Sequence, residues 1–181
     1  MRIYKIDNLD KHNTEYKNLY ISELWIIKKY NGNWDNLSKH KYLTEDFIEK
    51  YKDKVVWYNI SEYQKLSEKF IEKYKDKLCW THISRYQKLS ESFIKKFKNK
   101  VDWYYISKCQ KLSEKFIEKY KDRVNWMFVS EYQILSEKFI DKHADKVSWY
   151  WIFVRYGQNL SKSFKDKYRK KADWSSLHIL Y

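Results

Sequence analysis

The imidazoles of this chain are His12, His40, His82, His143 and His178, and no two stand four residues apart, the step at which one helix face points both at a single metal ion. Cys79 and Cys109 are the two thiols. They share no Cys-x-x-Cys spacing, so neither a zinc site nor a disulfide is implied; two ordinary thiols in a reducing compartment are expected. Carboxylates recur, as at Glu68, Glu72 and Asp76, but they return in most stretches of similar sequence, whereas a catalytic pair would be unique. Gly32 and Gly157 are the only glycines, too few for a phosphate-cradling loop, and neither Gly-x-Ser-x-Gly nor His-Glu-x-x-His occurs. The chain is therefore read as no enzyme, with no cofactor, no metal and no small-molecule substrate. The chemistry that remains is recognition by aromatic, basic and Met side chains.

Those side chains are set out on a fixed period. A Leu-Ser or Leu-Thr pair begins at Leu43, Leu66, Leu89, Leu112, Leu135 and Leu160, and a Trp follows each Leu fourteen residues later, at Trp57, Trp80, Trp103, Trp126, Trp149 and Trp174. The step is 23 residues, with one step of 25. A period of this size marks a repeat array. Within Leu66 to Lys88, Ser67 is a helix N-cap, Glu68 faces the positive end of the dipole, and Phe70, Ile71, Tyr74 and Leu78 fall on one helical face. This predicts a first helix, A, of about ten residues. Asn33, Asp102, Asn125, Ser148 and Asp173 precede their tryptophans as capping residues, which predicts a second helix, B, starting at each Trp. Helices this short are unstable alone and must stack on their neighbours.

The fold expected is thus an all-α helical-repeat solenoid of about seven short helix pairs, in a single domain over 1–181. Residues 1–19 read as an N-terminal cap and 20–42 as a divergent repeat in which Leu24 takes the Phe position. Residues 43–159 hold five repeats and 160–181 a C-terminal repeat or cap, with Leu177 and Leu180 replacing the usual Ile and its neighbours. The two extra residues between Phe153 and Asn159, with Gly157, should shift the stack locally.

Comparing the repeats with one another separates interior from surface. For a helical step of about 100° per residue, the near-constant Trp, Ser, Gln, Ile and Tyr span one side of helix B, read as packing. The positions one, two and five residues after the Trp vary, and they cluster opposite. They supply the candidate partner-binding residues Tyr58, His82, Arg85, Tyr104, Tyr105, Lys108, Met127, Phe128, Tyr150 and Trp151. Tyr, Trp, Met and Arg are enriched at binding hot spots. Asn59, Glu62, Thr81 and Glu131 share the stripe.

The net charge of +14 favours acidic partners: nucleic acid, an anionic membrane surface or an acidic protein. The stripe itself is mixed in sign, and Glu62 and Glu131 would repel phosphate. A protein partner is expected first, nucleic acid second. Residues 89–111 carry +4, much of it on helix A at Lys95, Lys96, Lys98 and Lys100. The N-terminal Met1 to Lys5 lacks an apolar signal segment, and no apolar run approaches the ~20 residues of a membrane span. An intracellular, cytoplasmic protein without a membrane span is expected.

The units from Leu66 to Lys77 and from Trp103 to Lys111 resemble short tandem-repeat proteins encoded by bacteriophages, AT-rich bacteria and large DNA viruses, over about residues 34–181. Small phage proteins without catalytic motifs are often inhibitors of host defence, anti-CRISPR proteins among them. The resemblance implies stoichiometric binding to a host nuclease or another nucleic-acid-handling complex in the host cytoplasm, and assigns no residue a role. The alternative is an RNA- or single-stranded-DNA-binding repeat protein.

Overall fold

The computed structural model describes residues 23–40, 43–154 and 160–171, and among these every regular element is helical. The candidate cap at 1–19, the insertion around Gly157, and Leu177 and Leu180 lie outside the described residues. The chain falls into two units, Met1–Leu78 and Cys79–Tyr181. Residues 23–29 of the first unit are helical. They are followed by α1 (Trp34–Ser38), α2 (Glu45–Lys50), α3 (Trp57–Tyr63) and α4 (Glu68–Lys73). The second unit holds α5 (Trp80–Tyr86), α6 (Glu91–Lys96), α7 (Trp103–Cys109), α8 (Glu114–Lys119), α9 (Trp126–Tyr132), α10 (Glu137–Lys142), α11 (Trp149–Val154) and α12 (Lys162–Tyr168). A short 3-10 turn, Arg169–Lys171, ends the described chain. The alternation of A and B helices makes this an all-α helical repeat of the solenoid class. In the second unit B helix stacks on B helix, α5 on α7, α7 on α9 and α9 on α11; in the first, α1 packs on α3.

The boundaries follow from capping chemistry. Ser67, Ser90, Ser113, Ser136 and Ser161 each accept from the amide three residues on, that of the Phe, as Thr44 does. Asn33, Asp102 and Asn125 cap B helices, while Val56 and Cys79 make no side-chain cap. Helix A is shorter than its apolar pattern suggested: α4 is 6 residues long. Tyr74 leaves the helix (φ −110°, ψ 23°), and the turn that follows brings Leu78 into the core. The turn's free carbonyl is taken by the next Trp indole, Trp57 Nε1 to Lys52 O at 3.0 Å and Trp103 Nε1 to Lys98 O at 2.9 Å. At the other corner Gln64, Gln87, Gln110 and Gln133 end the B helices in extended backbone. These corners need no left-handed residue. Among the described residues only Asn31 (φ 47°) and Gly32 (φ 73°) have positive φ, so the repeat corners described need no glycine.

Packing does not respect the Leu-to-Leu reading frame. Among the described residues the Trp that opens each B helix stacks on the A helix that follows it: Trp57 on Phe70 and Tyr74 (6.4 and 4.7 Å between centroids), Trp103 on Phe116 and Tyr120 (6.3 and 5.0 Å). In Trp126–Phe139–His143 the histidine replaces the tyrosine, as a buried core residue. Ile60, Ile83, Ile106 and Val129 lie beneath with no exposed surface; a fully buried aliphatic side chain of this size stabilises by about 1.5–3 kcal/mol.

Three polar side chains per repeat join successive repeats. The Gln110 carboxamide donates to Ser84 O (2.9 Å) and Gln87 O (2.8 Å) and accepts from Leu89 N (3.0 Å). Gln133 repeats the pattern, and in the first unit Gln64 bonds Ser38 O, His40 O and Leu43 N. The Ser107 hydroxyl donates to Trp103 O (2.7 Å) and accepts from Asn125 N (2.9 Å). The carboxylate of Glu91 accepts from Ser113 N at 2.6 Å, and Glu45, Glu114 and Glu137 do the same for Ser67, Ser136 and Ser161. These glutamates, read from sequence as cap charges, are also bonds between repeats.

A ladder of ion pairs runs along the A helices. A Lys meets the acid of the preceding repeat at Lys73–Glu49, at Lys142–Glu118 (2.9 Å) and at Lys167–Asp141; one turn on, Lys77–Asp53 and Lys146–Asp122 stand at 3.7 Å. Lys142 and then His143 hold the Glu118 carboxyl well below its ordinary 4.5, at about 2.

Two outcomes are expected. Gln110→Ala leaves one buried amide and two buried carbonyls unmatched and should cost about 2–4 kcal/mol in urea unfolding; a loss under about 0.5 kcal/mol, the scale of an ordinary surface substitution, would show that the clamp is incidental. Because folding lowers the Glu118 pKa, its contribution is present above pH 4.5 and is lost as pH falls towards 2. Glu118→Gln should therefore flatten the acid limb of Tm against pH in that window, and superimposable limbs would show that the pair carries no stability.

Candidate interaction surface

The B helices present the candidate stripe. In the first unit Tyr58 is 56% exposed. In the second, Tyr104 (47%) and Met127 (46%) stand out from α7 and α9, and Thr81 and Arg85 are exposed on α5. The position one residue after the Trp is thus outward on α3, α5, α7 and α9, while on α11 Tyr150 is half-buried.

The position two after the Trp is not. Phe128 is 4% exposed and Asn59 is buried, while His82, Tyr105 and Trp151 are half-buried. Phe128, expected at the surface, is therefore a packing residue. The reason is the stacking of one B helix on the last, which turns this position towards the preceding repeat. Asn59 Nδ2 reaches back to Asp35 O (3.1 Å) and Oδ1 (2.9 Å), and Phe128 meets Tyr104 edge-on at 4.6 Å.

Cations and rings alternate across α5, α7 and α9. The Arg85 guanidinium lies over Tyr86 (4.8 Å) and Tyr105 (5.3 Å). Tyr105 meets Tyr104 edge-on at 5.0 Å, and Tyr104 meets Phe128. Lys108 lies over Phe128 (5.1 Å) and Tyr132 (5.9 Å). Each exposed cation–ring contact is worth about 0.5–1 kcal/mol. Their further effect is to hold long side chains in place before a partner arrives, which lowers the entropy lost on binding. Tyr150 and Trp151 on α11 are half-buried and meet edge-on at 5.0 Å, and His82 meets Tyr86 at 5.6 Å.

The structure adds residues that the repeat comparison assigned to packing. Tyr63, Tyr86 and Tyr132, six residues after their tryptophans, are exposed, Tyr86 and Tyr132 at 42%. The signal was present: α7 carries Cys109 here, and a position that accepts Cys for Tyr is not a tight interior one. Cys109 is exposed and short, so the ridge of phenols drops between Tyr86 and Tyr132. Partial burial pushes its thiol pKa up, against Lys108 and Arg85. The Glu131 carboxylate, with some burial, raises the Tyr132 phenol, so its hydroxyl stays a neutral donor near neutral pH.

Among the described residues no three His, Cys, Asp or Glu side chains converge to hold a metal ion, and no helix is long and apolar enough to cross a membrane. No family model, no curated protein and no solved structure matches the chain.

Proposed function

We propose that this protein is a non-enzymatic binding scaffold that acts by stoichiometric association with another protein through its B-helix face. The observation that carries this reading is the row of exposed Tyr86, Tyr104, Met127 and Tyr132 on consecutive B helices, held by Arg85 and Lys108. Single exposed aromatics are ordinary surface, but contiguous ones rimmed by polar groups fit a partner interface. Glu131, at the repeat position that Arg85 and Lys108 hold on their own helices, gives the face both signs of charge, which suits a protein more than a polyphosphate chain. The resemblance to phage- and virus-borne repeat proteins extends the reading to an inhibitor of a host defence nuclease.

The test compares wild type with Tyr104→Ala/Met127→Ala/Tyr132→Ala as baits, with circular dichroism confirming equal helicity. A protein held by wild type in a defined stoichiometric complex should be lost by the triple variant, with a weakening of about 10²-fold or more for three hot-spot truncations. Equal retention would remove this face from the interaction. Retention of RNA or single-stranded DNA, lost in the same variant, would instead assign the face to the second reading, a nucleic-acid-binding repeat.

A further inference from the structure

The A-helix ladder is altered in one repeat, and altered twice. Its first acid is Glu49, Glu118 or Asp141 and its second Asp53 or Asp122, each meeting a Lys of the following repeat. Residues 89–111 carry Lys95 at the first position and Asn99 at the second. The register that sets Lys142 on Glu118 sets Lys119 opposite Lys95, so like charges face each other where an ion pair stands elsewhere. At the second position Arg123 replaces the Lys. Its Nη1 donates to Lys98 O (2.8 Å) and Asn99 Oδ1 (3.0 Å), and its guanidinium lies 5.9 Å from the Trp103 ring. Arg123 is thus oriented by neutral acceptors that leave its charge in place.

The carboxylates around this patch are already engaged. Glu91 and Glu114 bond Ser113 N and Ser136 N, Glu118 pairs with Lys142 and His143, and Asp122 stands 3.7 Å from Lys146. Lys95, Lys98, Lys119, Lys121 and Arg123 are all exposed, and like charges gathered without matching acids raise the local positive potential. We infer that this A-helix patch, centred on Lys95, Lys119 and Arg123, docks the phosphate backbone of duplex nucleic acid. The aromatic side chains of this side are turned inward: Phe93, Phe97, Phe116 and Tyr120 are buried, and Trp103 is half-buried. Single strands are held largely by stacking on exposed rings, whereas a duplex offers a dense row of phosphates that lysines and arginine read without sequence. The patch lies on helices other than those of the aromatic face and does not depend on it.

The sequence provides its own control. Lys95→Glu/Asn99→Asp puts back the acids of the neighbouring repeats, so the variant should fold with an unchanged or higher Tm. Binding of the full chain to a short labelled duplex of arbitrary sequence is followed by fluorescence anisotropy across salt concentrations. For about four neutralised phosphates, log K should fall with log salt at a slope near −4. In the double variant affinity should fall about tenfold or more at low salt, and the slope should shrink by about 2. Tyr104→Ala/Met127→Ala/Tyr132→Ala should bind the duplex as wild type does. The proposal is overturned if the wild type does not bind duplex, if Lys95→Glu/Asn99→Asp binds with unchanged affinity and slope, or if the tyrosine–methionine variant alone loses binding. Tighter binding to single-stranded DNA than to duplex would overturn it too, as would capture by phosphatidylserine vesicles in place of duplex.

Discussion

Gln110 is 6% exposed, and all three bonds of its carboxamide are made to main chain 21–26 residues earlier. Everything else in the array depends on that arrangement. Helices of six and seven residues have too few internal bonds to persist alone, and their corners leave amides and carbonyls that water cannot reach. Gln satisfies an amide and two carbonyls at one corner with a single side chain. The buried Ser hydroxyl serves the next corner by donating to its own helix and accepting from the residue before the following Trp. A carboxylate or a hydrocarbon of similar size would fail at the Gln position, because of the three only the amide presents two donor hydrogens and an acceptor oxygen together. The Gln corners are extended and bonded by side chains, so they turn without glycine.

With the corners fixed, the two surfaces diverge for different reasons. Along the A helices, exposed charge pairs contribute little each, commonly ~0–1 kcal/mol, so a repeat can lose its acids without losing the fold. That tolerance allows residues 89–111 to carry Lys95 and Asn99. Along the B helices the constraint is geometric: the Ile face is fully buried, the Trp is half-buried, and what remains outside is a strip one or two side chains wide.

Much of this was legible in the sequence. The period, the Ser and Asn caps, the Trp-initiated B helices and the Phe-Ile core could all be read from residue type and spacing, since capping and burial act on chemistry that a single residue displays. The length of helix A could not be read, because Tyr74 continues the apolar pattern after its backbone has left the helix. The partners of the glutamates and the Gln were hidden for a related reason: their bonds reach 21–26 residues away, and constancy alone does not separate a bonded side chain from a packed one. The same ambiguity misplaced Tyr86 and Tyr132, recurrent but exposed, and Phe128, variable but buried.

Phe128 and Asn59 show why variability was an imperfect guide to the surface. Each sits two residues after its Trp and meets the residue one after the preceding Trp, Tyr104 for Phe128 and Asp35 for Asn59. The contact is ring on ring in one case and amide on carboxylate in the other, so the two positions are matched in type across the stack. A position can differ from repeat to repeat and still be interior if its partner differs with it. The outward member of each pair, Tyr104 or Asp35, then faces solvent with its orientation set from behind. On this face the inner residue sets the pose of the outer one, so replacing Phe128 would release Tyr104, although Phe128 itself has almost no exposed surface.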